Sequence, residues 1–290
     1  MSGNVYLVTG ASSGIGHATA QALLERGHAV YCAARRLEPM ADLAAAGGHK
    51  LEMDVTDESE VRAGVDRIKR EAGRIDGLVA AAGYLHMGMI ENVDITAAQH
   101  QFDVNVFGVA RVVKAVLPIM RAQGDGHVVV ISSALGKFSA PGMAWYPASK
   151  HALEGFCDGL RMVVKRFGIK VVMVEPAFVA TDLFRAGRYT LDAADQAEYA
   201  HVYAAEQQAF RRNAANRSCG GADVAQVTPS VLKALESASP KRRYRPDWMS
   251  KLGVFAKEKL GDFVVDRVAT HIWLGNGSCE CSPEAEEPQS

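Results

Sequence analysis

Short apolar runs alternate with helical patterns along the first two thirds of the chain. Residues 5–8 form an apolar run that ends in Thr9-Gly10, and the stretch after it has the apolar spacing of an amphipathic helix. The same alternation continues to about residue 174. It predicts strands at 5–8, 29–33, 50–53, 77–81, 127–131 and 170–174, and helices at 18–25, 40–46, 59–71, 102–121 and 147–167. Because helix-length connections require parallel pairing, we expect an α/β fold, a doubly wound parallel sheet of the Rossmann type.

Composition excludes several classes of protein. The chain has 290 residues, and its 32 Lys and Arg against 33 Asp and Glu give a net charge of −1, which argues against nucleic-acid binding. No apolar run approaches the ~18 residues that cross a bilayer, and the early strand predicts that no secretory signal precedes the fold. The five cysteines lack the spacing of a disulfide framework or a zinc site. We therefore expect reduced thiols, no metal and a cytoplasmic location.

A glycine-rich turn joins the first strand to its helix: Gly10-Ala11-Ser12-Ser13-Gly14-Ile15-Gly16. Glycines permit a tight turn and close approach of a diphosphate, and the helix N-terminus offers free N–H groups and the positive end of its dipole. A glycine-rich turn alone is often only a turn, but its place between strand and helix favours phosphate binding. The predicted contacts are Gly10, Ser12, Ser13, Gly14, Ile15 and Gly16.

The end of the second strand predicts which dinucleotide binds. Ala34 is followed by Arg35 and Arg36. A carboxylate at this position would bind the ribose hydroxyls of NAD, whereas an arginine accommodates the additional phosphate of NADP. We therefore predict NADP(H), with both arginines as contacts. The alternative is a solvated pair of arginines, which we favour more for Arg36 than for Arg35.

The strongest chemical signal is Tyr146-Pro147-Ala148-Ser149-Lys150, which Ser132-Ser133 precedes in the chain. Residues four apart on a helix share one face, so Tyr146 and Lys150 are predicted to be neighbours. A free tyrosine has a pKa of ~10, and an adjacent ammonium favours its phenolate. The alternative is an ordinary pair of helical side chains. Two features favour the catalytic interpretation: the Tyr146 and Lys150 pair follows the fifth strand, and Ser133 lies 13 residues upstream of Tyr146.

Together these motifs resemble the short-chain dehydrogenase/reductase pattern. The resemblance implies that Tyr146 is the general acid/base and that Lys150 lowers its pKa and holds the nicotinamide ribose. Ser133 would bind the substrate oxygen, with Ser132 as the competing serine. Asn105 would kink the long helix and hold a water of the proton relay; its alternative is a satisfied buried amide.

The resemblance also implies further cofactor contacts and shows two departures from the family pattern. Ala81-Ala82-Gly83 stands in place of Asn-Ala-Gly, and Pro176-Ala177 stands in place of Pro-Gly. Neither departure removes a proton-transfer group. For Asp54 the alternative is to cap the turn that follows it. The implied contacts are Asp54, Val55, Ala81, Ala82, Gly83, Tyr146, Lys150, Pro176, Val179 and Thr181.

The expected reaction interconverts a ketone or aldehyde and an alcohol with NADP(H). Aromatic and methionine side chains near the site suit a bulky lipophilic substrate, and the layout is similar to the hydroxysteroid and retinol dehydrogenase branch. The predicted substrate contacts are Ser133, Met143, Tyr146 and Phe178. The alternative is a catalytically silent NADP-binding sensor or scaffold protein.

We expect one domain, with a dinucleotide-binding core at 1–184, a helical substrate lid and extension at 185–274, and a disordered tail at 275–290. The resemblance implies a homodimer or homotetramer through helices 102–121 and 147–167. The basic amphipathic segment 241–273 has two interpretations, contact with a membrane surface or packing on the sheet or a partner subunit. We favour packing.

Overall fold

A computed structural model describes residues 3–179, 181, 183, 188–189 and 222–274. Of the predicted lid and extension at 185–274, residues 185–187 and 190–221 lie outside the described residues, as does the whole of the predicted tail at 275–290. The strands are β1 (Val5–Thr9), β2 (Ala29–Ala34), β3 (His49–Glu52), β4 (Gly77–Ala80), β5 (His86–Met87), β6 (Gly126–Ile131), β7 (Ile169–Val174), β8 (Arg188–Tyr189) and β9 (Arg243–Tyr244). The α-helices are α1 (Gly14–Glu25), α2 (Ala41–Ala45), α3 (Glu58–Ala72), α4 (Ile95–Phe102), α5 (Val109–Gln123), α6 (Trp145–Val164), α7 (Val224–Glu236) and α8 (Trp248–Leu274).

Seven strands form one parallel sheet in the order β3-β2-β1-β4-β6-β7-β9. The chain builds outward from β1 to β3, then returns and builds the other half from β4. This reversal leaves a crevice beyond the carboxyl ends of β1 and β4, which is where open α/β sheets bind ligands. The predicted doubly wound parallel sheet is confirmed. Strands β5 and β8 form a separate two-stranded parallel sheet.

Helices cover both faces of the large sheet because successive side chains of each strand point to opposite faces. Val5 and Leu7 of β1 pack with the helices α3, α5 and α6, whereas Tyr6 and Val8 pack with α1, α2 and α7. The core on each side is therefore continuous from the first strand to helices distant in the chain.

The long helix predicted at 102–121 begins earlier and is irregular. It starts as α4 at Ile95, continues through a π-helical segment at Asp103–Gly108 and ends as α5 at Gln123. The polar residues of α4 interrupt the apolar pattern, which explains why the sequence did not reveal its start. Asn105 lies inside the π-helical segment, an irregularity that often occurs at functional sites.

Helix α8 is broken at Gly261, where φ is 77°. Val254 and Val265 are buried, while Trp248, Leu252, Phe255, Leu260, Phe263 and Val268 are at least half exposed. One side of α8 therefore packs on the domain and the other faces outward. None of the helices in the described part of the chain is long and apolar enough to span a bilayer.

Candidate active site

The glycine-rich turn at residues 10–16, called the glycine cradle below, requires glycine at three of its positions. Gly10 and Gly14 have φ of 70° and 56°, in the left-handed region that favours glycine. A Cβ atom at Gly16 would lie 2.4 Å from the carbonyl oxygen of Gly10. The turn therefore folds directly against the start of α1, and its backbone fits a diphosphate group.

Hydroxyl and N–H groups at the start of α1 are placed to receive an anion. Ser13 is the N-cap in extended backbone, and its side chain makes no capping hydrogen bond. Ser12, Ser13 and Ile15 are half-buried at the rim of the cradle. Because an uncapped helix start presents N–H groups without acceptors, the local structure fits the predicted role in phosphate binding.

Two other predicted segments lie against this cradle. A Cβ atom at Gly10 would lie 2.7 Å from the Ala82 nitrogen, and a Cβ at Gly14 would lie 3.1 Å from the Thr181 Cβ. The segments that follow β4 and β7 thus meet the turn that follows β1. The structure brings the predicted cofactor residues of all three segments together.

Thr9 supplies part of the bracing that the missing family asparagine would give. Its hydroxyl donates to the Val79 carbonyl at 3.5 Å and accepts from the Ala82 nitrogen at 3.4 Å. The hydroxyl therefore joins β1, β4 and the Ala81-Ala82-Gly83 segment. This contact keeps the segment in place without an amide at position 81.

At the predicted adenine end of the site, one carboxylate is hydrogen bonded within its own turn and two arginines are exposed. Asp54 Oδ1 accepts from the nitrogen and the hydroxyl of Thr56 at 2.9 and 2.8 Å, so this carboxylate does cap its turn. Val55 is buried, and a Cβ at Gly108 would lie 2.7 Å from its Cγ2. Arg35 and Arg36 are exposed after β2, and neither is ion-paired to a described residue.

Ser133, Tyr146 and Lys150 come together at the carboxyl ends of β6 and β7. Tyr146 and Lys150 lie one turn apart in α6, and each is 5% exposed. Lys150 Nζ lies 5.7 Å from the Tyr146 ring centroid and donates to the Ile131 carbonyl at 3.0 Å. The Ser133 hydroxyl is hydrogen bonded to the Tyr146 side chain.

The structure separates the two candidate serines. The Ser132 hydroxyl donates to Glu154 Oε1 at 2.6 Å, so it serves a different partner. Ser133 begins the 3-10 turn Ala134–Gly136, and its Oγ accepts from the Leu135 nitrogen at 3.1 Å. The same Oγ lies 3.4 Å from the Pro176 carbonyl as a donor. Only Ser133 has its hydroxyl at Tyr146.

Burial sets the protonation states of the two groups on α6. It raises the pKa of Tyr146 to about 12, and the hydrogen bond from Ser133 acts in the opposite direction. Burial lowers the pKa of Lys150 to about 8, against the effect of the Glu154 carboxylate, which raises it. Near neutrality the phenol is therefore protonated and the amine is charged. Burial is therefore the largest influence on the pKa of Tyr146 in this structure, and its lowering by Lys150 stays a prediction.

Asn105 is fully buried and its amide is satisfied within the protein. Its Nδ2 donates to the Tyr84 carbonyl at 2.9 Å and to Ser149 Oγ at 3.1 Å, and its Oδ1 accepts from the Tyr84 nitrogen at 2.8 Å. The side chain thus fastens the segment after β4 to the π-helical segment and to α6. The alternative of a satisfied buried amide describes this side chain, and the water contact stays a prediction.

Tyr146 belongs to an apolar cluster. Met143 and Phe178, the predicted substrate contacts, both belong to it. The sequence analysis did not identify Ala269 of α8, which packs against the same cluster. The other members are Leu85, Met87, Leu135, Phe138, Ala140 and Leu183.

The segment that follows β7 is hydrogen bonded to the turn that bears Ser133. The Pro176 carbonyl accepts from the Ala134 nitrogen at 2.8 Å as well as from Ser133. Val179 is buried and forms a parallel bridge with Ala222. Pro176-Ala177 therefore makes the turn without the glycine that the family pattern has, because the Pro176 carbonyl is bonded to the Ser133 turn.

Known proteins with similar sequences share this core. Oxidoreductase BOA17 of Botryotinia fuckeliana is 37% identical over 182 residues, 61% of this chain and 66% of that protein. The 3-ketodihydrosphingosine reductase of Bacteroides thetaiotaomicron is 40% identical over 176 residues, 61% of this chain and 64% of that protein. The matched region thus spans slightly less than two thirds of the length of these two relatives.

Solved structures extend the likeness to nearly the whole chain. A short-chain dehydrogenase from Streptomyces avermitilis matches with a TM-score of 0.78 at 32% identity, over 94% of this chain and 97% of that one. Two more are bound to cofactors, one from Burkholderia cenocepacia to NADP and one from Burkholderia phymatum to NAD. Their TM-scores are 0.72 and 0.74, both at 26% identity, over 94% and 90% of this chain and 97% and 96% of theirs.

A model of one family accounts for the region that contains both the cradle and the Tyr146 site. The family is described as short chain dehydrogenase, and its model matches residues 4–191. This match covers more than half of the chain and agrees with the relatives and the solved structures. The chain belongs to the short-chain dehydrogenase family.

Proposed function

We propose that this oxidoreductase uses NADPH to reduce a ketone or aldehyde of a bulky lipophilic compound, and catalyses the reverse oxidation with NADP. The observation that carries the proposal is the buried group of Ser133, Tyr146 and Lys150, whose Tyr146 belongs to an apolar cluster. A proton donor, a hydroxyl partner and a charged amine are the groups that carbonyl reduction requires.

Each of the three side chains has one task in the reduction. The bound nicotinamide supplies the hydride. Tyr146 is protonated at working pH because burial raises its pKa to about 12, so it can donate its proton to the carbonyl oxygen. Ser133 donates a second hydrogen bond to that oxygen, and the Lys150 ammonium stabilises the phenolate that Tyr146 leaves. These protonation states favour the direction of reduction.

The choice of NADP rests on the end of β2. Arg35 and Arg36 are exposed there and ion-paired to no described residue, and Ala34 occupies the position where a carboxylate would favour NAD. Solved relatives bind either cofactor, so membership of the family does not by itself decide the matter. A guanidinium that is ion-paired to no described residue is suited to a phosphate.

The substrate class rests on the apolar cluster beside Tyr146. Met143 and Phe178 come from different loops and pack in the same cluster as Tyr146, and Ala269 of α8 packs against it as well. Pockets for lipophilic compounds have such a lining with a few polar groups. The name of the Bacteroides thetaiotaomicron relative, a 3-ketodihydrosphingosine reductase, agrees with a lipophilic ketone. A steroid-like or retinoid-like substrate would match this lining.

The test is a panel of ketones, aldehydes and alcohols assayed by nicotinamide absorbance with both cofactors. Tyr146→Phe should still bind NADPH and lose reduction by about 10³-fold or more. Tyr31→Phe is the matched control, because burial also raises the pKa of the Tyr31 phenol to about 12, far from the site in β2. Wild-type protein that binds NADPH and reduces nothing in the panel would support the silent sensor instead.

Assembly and location remain predictions with partial structural support. Phe107, Met162 and Val163 are all more than half exposed on the long helix and α6, which suits a homodimer or homotetramer through these helices. The inner side of α8 packs on the domain, in agreement with the packing interpretation of 241–273, and its outer side is open to a partner or a membrane surface. Light scattering tests the assembly. The cytoplasmic location rests on the sequence alone.

A further inference from the structure

We propose that Glu154 is a positioning residue, which fastens the turn that bears Ser133 to the helix that bears Tyr146 and Lys150. The inference deepens the proposed function and rests on it for its kinetic readout. Glu154 is 5% exposed, and neither the glycine cradle nor the Tyr146 cluster includes it.

One carboxylate holds both ends of the Ser133 turn. Glu154 Oε1 accepts from the Ser132 hydroxyl at 2.6 Å, and Oε2 accepts from Lys137 Nζ at 2.7 Å. Ser132 immediately precedes Ser133, and Lys137 immediately follows the 3-10 turn that Ser133 begins. The Ser133 hydroxyl therefore lies between two anchors on the same side chain.

The turn also sits directly on the Glu154 stem. A Cβ atom at Gly136 would lie 3.1 Å from Glu154 Cγ, 3.2 Å from Ser132 Oγ and 3.3 Å from the Lys150 carbonyl oxygen. Glu154 follows Lys150 by one helical turn and Tyr146 by two, so all three side chains share one face of α6. The distance between Ser133 and Tyr146 thus depends on the contact between Glu154 and the turn.

Arg243 of β9 and Arg245 just after it form ion pairs that connect this buried carboxylate to the end of β7. Arg243 Nε lies 3.0 Å from Glu154 Oε2 and 2.8 Å from Glu175 Oε1. Arg245 Nε lies 2.8 Å from the other oxygen of Glu175. Glu175 precedes Pro176, whose carbonyl also binds the Ser133 turn. A carboxylate taken out of water requires such partners to remain ionised.

The charge of Glu154 also acts on Lys150. The carboxylate raises the pKa of Lys150 against the lowering by burial, and the Cys157 thiol on the same helix is the other titratable group that affects it. Lys137 and Arg243 are the cations that face Glu154 from the turn and from β9. Loss of the Glu154 charge should therefore move the deprotonation of Lys150 to lower pH.

The kinetic test compares Glu154→Gln with Asp158→Asn. Asp158 lies one turn further along α6 and is also ion-paired to Arg243, but it touches neither Ser132 nor Lys137. Glu154→Gln keeps the shape and an acceptor for Ser132 and loses the charge. We expect kcat for reduction to fall about tenfold with the KM for NADPH within twofold, and the alkaline limb of kcat to move to lower pH. Asp158→Asn should change kcat less than twofold.

A second measurement does not need turnover. Amide hydrogen exchange of residues 132–137 should become about tenfold faster in Glu154→Gln and stay unchanged in Asp158→Asn. Lys137→Met releases only one end of the turn and should also speed this exchange. It is the variant to measure if Glu154→Gln does not fold. Equal exchange and equal kcat in the Glu154 and Asp158 variants would overturn the proposal. If the wild-type protein reduces no carbonyl, the proposed function fails and the exchange comparison alone decides the role of Glu154.

Discussion

Replacement of Lys150 by Met measures how much the buried amine lowers the free energy of unfolding of the protein. Lys150 is 5% exposed, and burial lowers its pKa from 10.5 to about 8. Each pKa unit corresponds to about 1.4 kcal/mol, so the charged form is disfavoured in the folded protein by roughly 3 kcal/mol at pH 7. Methionine has a similar stem and no charge, so it removes this cost.

The sign of the pH dependence follows from the lowered pKa. Below pH 8 both the folded and the unfolded chain bind the proton, and the full cost is present. Between pH 8 and 10.5 the unfolded chain binds more protons than the folded one. The free energy of unfolding of the wild-type protein therefore increases as the pH rises through this range. The variant also loses the donor to the Ile131 carbonyl, at a cost of about 1.5 kcal/mol at every pH.

The expected result is a variant that is more stable at pH 7 by about 2 kcal/mol; the difference changes by about 2.5 kcal/mol by pH 10, where the wild-type protein is more stable by about 0.5 kcal/mol. The assay is urea unfolding of both proteins at pH 7, 8, 9 and 10 with linear extrapolation. Burial raises the pKa of the Cys32 and Cys157 thiols to about 12, which destabilises both proteins at high pH and cancels in the difference. A difference that stays constant within about 0.5 kcal/mol over this range would refute the reasoning.

Three further predictions test the cofactor site and the chemistry. Arg35→Ala should raise the Kd for NADPH at least about tenfold more than that for NADH, as measured by nicotinamide fluorescence, with a smaller effect for Arg36→Ala; equal losses for both cofactors would contradict the choice of NADP. Gly16→Ala places a Cβ 2.4 Å from the Gly10 carbonyl oxygen and should destabilise the protein by about 3 kcal/mol in urea unfolding. Gly155→Ala, with open space around it in α6, should not destabilise it at all. Finally, kcat for reduction should decline as the pH rises through about 8 and Lys150 loses its charge; a kcat that stays level to pH 10 would mean that the charge is not needed.

The sequence predicted the elements whose signals are local. Apolar runs and glycines marked six strands of the large sheet, and the spacing of Tyr146 and Lys150 placed both on one helical face. The basic stretch 241–245 is compatible with a strand or a loop on sequence alone, and two of its residues, Arg243 and Tyr244, form β9. Its existence depends on pairing with β7, a contact between distant parts of the chain.

The role of Glu154 was hidden for a related reason. Its partners Ser132, Lys137 and Arg243 come from a strand end, a turn and a strand near the end of the chain. Sequence reasoning sees only that Glu154 follows Lys150 by one helical turn, a spacing that is common on exposed helix faces. Burial distinguishes the two cases, and burial is a property of the fold. The same holds for the two serines: the hydroxyl of Ser132 is bonded to Glu154 and that of Ser133 to Tyr146, a difference that only the fold shows.

The C-terminal elements are part of the structure that holds the site, so a fragment of residues 1–184 should not fold. Without residues 243–245, Glu154 would keep only Lys137 as an ion-pair partner and Glu175 would lose both Arg243 and Arg245; removing the partner of a buried charge costs about 3–5 kcal/mol. Without α7, the sheet would also lose Val227 and Val231, which are fully buried against it. Circular dichroism with urea should show no cooperative transition for the fragment. A cooperative transition with the midpoint of the full chain would mean that the first 184 residues have a core of their own. It would also mean that Arg243 and Arg245 are not needed for folding.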